Sequence, residues 1–187
     1  TAQSGATSNG VVCPLCSASG NSRLLFHTSR PILKCRTCGL VYAEPRPSSL
    51  NEPSESNSTD YSEDYYRGGP YSDYLADRQA IQRNAARVLA ELEQMVEGRR
   101  LLDVGCATGF FLDAAMSRGW TVQGLEVSDY ASNYARRELN LPVETGSVVS
   151  PPAGLGKFDV VTLWDTIEHL DRPEVALANI RKLLDPR

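Results

Sequence analysis

No apolar run in this chain approaches the ~20 residues that a membrane-spanning helix needs. The longest runs, such as Asp159 to Trp164, cover only a handful of positions. Nor is there an N-terminal basic stretch followed by an apolar one, the layout of a secretory signal. An excess of positive charge is also missing: the formal net charge is −4, so the chain as a whole is not built to bind a polyanion. Histidine is scarce, with His27 and His169 the only two. Five cysteines in a chain without an export signal predict a cytoplasmic location. In that reducing setting, paired cysteines serve as metal ligands more often than as disulfides. What remains is an ordinary globular composition, 41% hydrophobic and 22% charged. At 187 residues there is room for one domain, or for a small module with a partial one.

The charge is distributed in blocks. Val11 to Ser48 holds five basic residues (Arg23, Arg30, Lys34, Arg36 and Arg46) and a single acid, Glu44. Ser49 to Tyr74 holds six acids and one base, Arg67, and the remainder is nearly balanced. This predicts a disordered tail over 1–10, a basic module over 11–46, an acidic linker over 47–71 and a larger domain over 72–187.

Cys13-Pro-Leu-Cys16 and Cys35-Arg-Thr-Cys38 are two CxxC pairs separated by eighteen residues. That spacing fits the two-knuckle pattern of a structural zinc site. Each two-residue spacer brings both thiolates to one face of a tight turn, and two turns supply four sulfurs in a tetrahedron. Four thiolates fill the shell and leave no open position for water, so Zn2+ held by Cys13, Cys16, Cys35 and Cys38 would be structural. Short strands are expected at Leu24–Phe26, Ile32–Lys34 and Leu40–Tyr42, with Gly39 supplying a positive φ after the second pair. So small a module cannot bury enough apolar surface to fold without such a staple. Four reduced thiols without metal, or an iron–sulfur cluster, are the alternatives.

The linker carries Tyr61, Tyr65, Tyr66, Tyr71 and Tyr74 within fourteen residues. The favoured reading is that these rings pack the linker onto a neighbouring domain; the sharper one is that some of them roof a ligand pocket. A helix capped by Ser72 follows, with Ile81, Ala85, Val88, Leu89, Leu92 and Val96 as its apolar stripe and Gly98 as its C-cap glycine. Strands are then expected at 101–104, 121–126, 142–144 and 158–164. They alternate with helices over 110–118 and from Ser128 to Leu139, and a last helix starts near Pro173. Alternation of this kind predicts right-handed crossovers and a parallel sheet, with ligands bound beyond the carboxyl ends of the strands.

The turn after the first of these strands reads Leu101-Leu-Asp-Val-Gly-Cys-Ala-Thr-Gly-Phe110. Gly105 and Gly109 allow a ligand close to the backbone at a helix N-terminus. Neither the G-x-G-x-x-G fingerprint nor a Gly-Lys-Ser/Thr P-loop is present, which excludes a nicotinamide-dependent oxidoreductase and a P-loop enzyme. Glu126 ends the next strand seventeen residues after Gly109, where a carboxylate can accept from both ribose hydroxyls. Asp103, just before the turn, suits an ammonium and repels a phosphate. The ligand implied is a nucleoside with a cationic amino-acid tail.

Three segments carry a family resemblance: Leu-Leu-Asp103-Val-Gly105-Cys-Ala-Thr-Gly109, Gly-Leu-Glu126-Val-Ser, and Lys-Phe-Asp159-Val-Val-Thr-Leu-Trp-Asp165-Thr-Ile-Glu-His169-Leu. They resemble class I S-adenosylmethionine-dependent methyltransferases, in the branch with an N-terminal zinc ribbon that often acts on sugars, lipids or natural products. The resemblance implies an α/β, Rossmann-like parallel sheet preceded by a small zinc ribbon with four cysteine ligands. It implies S-adenosylmethionine as cofactor and a small-molecule acceptor. Gly105 with its neighbours Cys106, Ala107 and Gly109 would cradle the methionine portion. Glu126 would hold the ribose, Val127 would lie against the adenine, and Ser147 and Val148 would meet the adenine edge. Trp164 and Asp165 would lie beside the methionine end. Cys106 fits a small loop position and is not needed as a nucleophile.

Methyl transfer from a sulfonium mainly requires that the reacting atoms be held in line. A base can help, and His169 is the only imidazole in this domain, of a type whose ordinary pKa near ~6.5 suits the task. A structural role at the strand-to-helix turn is the alternative, as is a divalent ion shared with Glu168. The family's sheet has seven strands and this sequence supplies four, so the domain is expected to be C-terminally incomplete. A competing function is a zinc-ribbon module that docks nucleic acid or protein. The thin aromatic content of the ribbon and the acidic linker beside it make nucleic acid the poorer partner.

Overall fold

The structure, a computed structural model, describes residues 10–44, 61–67, 74–170 and 172–186. The tail at 1–9, most of the linker with Tyr71, and the Ser72 cap lie outside the described residues. The chain divides into two compact units, Thr1–Ser54 and Glu55–Arg187.

The first unit is a three-stranded antiparallel sheet in the order β1 (Ser22–Phe26), β2 (Ile32–Cys35), β3 (Val41–Ala43). Leu33 and Cys35 of the central strand are buried, and Ser22 is buried beside them with its hydroxyl 2.7 Å from that of Tyr42. The two cysteine turns share one backbone design. Ser17 N–H donates to the Cys13 carbonyl and Gly39 N–H to that of Cys35; Cys13 N–H donates to Ala18 and Cys35 N–H to Leu40. Both residues that follow a second cysteine are left-handed, Gly39 at φ 80° and Ser17 at φ 58°. The sequence announces the first through glycine and conceals the second.

The second unit contains α1 (Glu63–Arg67), α2 (Arg78–Met95), β4 (Arg100–Val104), α3 (Phe110–Ser117), β5 (Thr121–Glu126), α4 (Asp129–Glu138), β6 (Val143–Thr145), β7 (Val160–Thr162) and α5 (Pro173–Leu183). Its sheet is parallel throughout, in the order β6-β5-β4-β7. Successive strands move outward from β4 through β5 to β6, and the chain then crosses back to place β7 on the other side of β4. That reversal makes the carboxyl end of β4 the switch point where such sheets bind ligands.

Alternate residues of β4 face opposite sides, as a strand period of two requires. Leu101 joins a core of Leu89, Leu112, Ala115, Trp120, Val122 and Val143. Leu102 and Val104 join Leu125, Val148, Phe158, Ala176 and Ile180 on the other side. Ser128 caps α4 by accepting from Ala131 N–H, Gly119 ends the α3 region at φ 88°, and Pro173 opens α5.

Three expectations need correction. The helix expected from Ser72 starts at Arg78, with Asp77 at its N-cap position and no side-chain cap bond. The last strand is shorter than 158–164, because only Val160–Thr162 pair with β4, while Phe158 bridges Leu184. Gly98 is not the C-cap of α2: that position is the extended Val96. Gly98 is instead a close-approach glycine, since a Cβ there would lie 2.1 Å from the Asp159 carboxylate carbon. Asp159 accepts from Arg100 N–H at 2.9 Å and from its guanidinium at 2.7 Å, and Arg100 also reaches Asp185 at 2.6 Å. This ion cluster ties β4, β7 and the segment after α5 together.

Candidate active site and cysteine cluster

A cavity of about 510 Å3 opens at the carboxyl ends of β4 and β5. That volume is within the range of small-molecule sites, ~300–1,000 Å3. Asp103 projects from β4 and Glu126 ends β5, both nearly fully buried. Register places Asp103 directly across from Thr162, whose hydroxyl donates to the carboxylate at 2.7 Å. Burial pushes the Asp103 carboxyl up to about 7, opposed by the Thr162 bond and reinforced by the nearby Glu126 charge. Glu126 accepts Ala107 N–H at one oxygen and Ser128 N–H at the other, each at 2.8 Å. Burial raises its pKa as well, and these backbone amides oppose the rise. Two oxygens offer about four acceptor sites, so acceptor capacity remains for a ligand's hydroxyls.

Gly105 at φ 73° and Ala107 at φ 48° shape the intervening loop, and Gly105 N–H donates to the Leu125 carbonyl at 2.7 Å. Gly105, Cys106, Ala107, Val127, Ser147, Val148, Trp164, Asp165 and His169 all line the cavity with the two acids. Gly109 is not among the lining residues. Its left-handed φ of 84° starts α3, and a Cβ there would lie 2.6 Å from Leu141. Its missing side chain thus serves packing beneath the loop. Cys106 is buried with its thiol pKa pushed well up by desolvation, an inert wall of the loop.

Four linker tyrosines, Tyr61, Tyr65, Tyr66 and Tyr74, line the same cavity, which is the sharper of the two readings of that cluster. They also pack locally. Tyr66 stacks on Tyr130 at 5.7 Å and Tyr74 on Phe110 at 5.8 Å, while Ser128 Oγ donates to the Tyr61 carbonyl at 2.6 Å. Asn84 and Arg87 on α2 also reach the cavity, and sequence reasoning missed both. The signal available was two polar residues, one helical turn apart, interrupting the edge of an apolar stripe. Arg87 is the only lysine or arginine among the described lining residues. The donor set suits a nucleoside with a charged amino-acid tail: buried acceptors at two strand ends, apolar walls at Val127, Val148 and Leu125, and one guanidinium.

In the first unit, the ligand atoms of Cys13, Cys16, Cys35 and Cys38 all lie within 4.8 Å of one another. The sulfurs of Cys13 and Cys38 are 3.7 Å apart and those of Cys16 and Cys35 3.6 Å. A tetrahedron with metal–sulfur bonds of ~2.3 Å has edges of about 3.8 Å, so the four thiols fit a single zinc-sized ion. The Cys38 amide, against the cost of burial, holds the Cys35 thiol down to about 6. No helix among the described residues is long and apolar enough to cross a membrane.

The parallel sheet, its switch point and the acids flanking a glycine turn define a class I S-adenosylmethionine-dependent methyltransferase fold. A family model described as a methyltransferase domain matches residues 74–187, and the chain belongs to that family. A ubiquinone biosynthesis O-methyltransferase from Thiobacillus denitrificans is 34% identical over 98 residues, 48% of this chain and 41% of that protein. One of the same description from Coxiella burnetii is 29% identical over 105 residues, covering 52% and 45% respectively. This chain thus spans less than half the length of either relative. Among solved structures, an amino pentose methyltransferase from Micromonospora echinaspora with bound S-adenosylmethionine aligns with a TM-score of 0.52. That match is 28% identical and covers 57% of this chain and 47% of that one.

Proposed function

We propose that the chain binds S-adenosylmethionine in the cavity above β4 and β5 and methylates a small-molecule acceptor. The observation that carries this reading is the pair of buried carboxylates, Asp103 and Glu126, on adjacent strand ends around one glycine turn in one cavity. Sugar and lipid-like acceptors fit best, given that the similar proteins act in ubiquinone biosynthesis and on an amino pentose.

Bound there, the cofactor supplies a methyl group already activated by a sulfonium. Glu126 accepts from the ribose hydroxyls, and its two backbone bonds fix its direction. Asp103, in its ionised form, faces the tail's ammonium, and Arg87 faces its carboxylate. Gly105, Cys106 and Ala107 present backbone to the methionine portion, while Gly109 sets the pitch of α3 beneath them. Val127 lies against the adenine, with Ser147 and Val148 at its edge. Trp164 and Asp165 flank the methionine end, and His169 takes a proton from the acceptor. In the other unit, the four cysteines hold Zn2+ as a structural ion, and their reduced state suits a cytoplasmic setting.

Calorimetry with S-adenosylmethionine and S-adenosylhomocysteine tests the reading. Micromolar binding of both is expected, and no binding of either sinks it. His169→Gln with intact cofactor affinity and unchanged turnover removes histidine from the mechanism.

A further inference from the structure

Asp165 has a left-handed backbone, φ 47°, in the turn that follows β7. A non-glycine residue held there is strained, and such strain persists only when surrounding contacts enforce it. The enforcing group is the side chain of Thr166. Its hydroxyl lies 2.9 Å from the Trp164 carbonyl, closing the turn around Asp165, and 3.1 Å from the Val104 carbonyl at the end of β4. A Cβ on Gly105 would fall 2.3 Å from that same oxygen. The space left by Gly105 is therefore filled by Thr166, and the glycine turn and the loop after β7 are interlocked through one hydroxyl.

The segment held this way faces the cavity. Trp164 rests on Phe111 at 5.5 Å between ring centroids while 45% of it remains exposed. Asp165, Thr166 and His169 line the cavity, and His169 N–H donates to the Thr166 carbonyl at 3.0 Å. We infer that Thr166 is a positioning residue. Its hydroxyl locks the Trp164–His169 segment onto the Gly105 turn, so one hydrogen-bonding group sets both the methionine end of the cofactor pocket and the wall that meets the acceptor. The inference rests on the methyltransferase reading of the cavity; the lock itself does not depend on a ligand.

Two readouts test it, one without ligand. The chain has two tryptophans, and Trp120 is 3% exposed, so acrylamide quenching of ligand-free protein reports on Trp164. Thr166→Val keeps the shape and removes the hydroxyl. We expect its quenching constant to rise about twofold and its affinity for S-adenosylhomocysteine to fall about tenfold, the scale of one lost hydrogen bond. Thr166→Ser keeps the hydroxyl and should stay within about twofold of the parent in both. Thr166→Ala replaces the valine variant if the latter fails to fold. Unchanged quenching and affinity in the hydroxyl-free variants overturns the inference, as does a serine variant that behaves like valine. If the parent chain binds no S-adenosylhomocysteine, the methyltransferase reading falls, while the quenching comparison still decides whether Thr166 locks the segment.

Discussion

The Thr162 hydroxyl donates a 2.7 Å hydrogen bond to the Asp103 carboxylate straight across the β4–β7 ladder, both groups being buried. That bond favours the ionised form of a carboxyl whose burial pushes it up to about 7. A folded pKa raised above the unfolded value of ~3.9 means that the folded state binds the proton more tightly. The Asp103 contribution therefore makes the fold more stable as pH falls from about 7 toward ~4, and less stable as pH rises through that window.

Ligand binding should show the opposite dependence. An ammonium beside Asp103 requires the carboxylate, so affinity for S-adenosylhomocysteine should be roughly tenfold weaker at pH 6 than at pH 8, with proton release on binding at the lower pH. Thr162→Val removes the opposing bond and should move the inflection upward. Asp103→Asn should abolish the inflection. Calorimetry in buffers of different ionisation enthalpy reads the proton directly. A flat affinity profile between pH 6 and 8 in the parent chain excludes Asp103 as the ammonium partner.

Arg87 gives a more selective test, because it is the only lysine or arginine among the described residues lining the cavity. A guanidinium facing a carboxylate contributes only when the ligand carries that group. Arg87→Gln should weaken S-adenosylhomocysteine about five- to tenfold and leave 5′-methylthioadenosine, which lacks the amino-acid tail, within about twofold. Equal losses for the two ligands would mean that Arg87 supports the wall rather than the tail.

What the sequence disclosed and what it withheld divide by range of interaction. The cysteine turns, the Ser128 cap, the left-handed Gly119 and the acid at the end of β5 are local patterns, and each is where its neighbours in sequence place it. Thr162 was invisible because its partner Asp103 lies 59 residues away and meets it only through strand register, and the reach of Thr166 to Val104, 62 residues away, because it depends on where the turn after β7 falls. Gly98 was misread for the same reason. A glycine after an apolar stripe is the ordinary mark of a helix end, and the carboxylate that needs its space comes from Asp159. The linker tyrosines were ambiguous because aromatic composition is the same for a packed strap and for a cavity wall, and here they are both.

The cysteine cluster predicts a metal stoichiometry. Elemental analysis should give one zinc per chain. Cys13→Ser and Cys38→Ser, each removing a sulfur from the pair 3.7 Å apart, should lower it substantially. Cys106→Ser should leave the zinc content unchanged, because that thiol lies in the cavity of the other unit. Chelation should collapse the amide signals of residues 10–44, since metal binding is folding free energy in so small a module. Dispersed ribbon signals after complete metal removal would show that the sheet stands without the ion.

Gly98→Ala isolates the ion cluster from the ligand site. The added Cβ would lie 2.1 Å from the Asp159 carboxylate carbon, so the carboxylate must shift. It then loses some of its bonds to Arg100, which are made through the backbone amide, Nε and the terminal nitrogen at 2.9, 3.1 and 2.7 Å. Arg100 is also held by Asp185 at 2.6 Å, so the strain reaches the segment after α5. A largely shielded carboxylate with lost partners and an overpacked contact together should cost about 2–3 kcal/mol. On a domain of this size that lowers the melting temperature by roughly 5–15 °C. The cluster sits at the amino end of β4, opposite the cavity, so S-adenosylhomocysteine affinity of the folded protein at low temperature should stay within about twofold of the parent. A Gly98→Ala chain that melts with the parent would mean that Asp159 has another place to go, and that the glycine is not required for its bonds to Arg100.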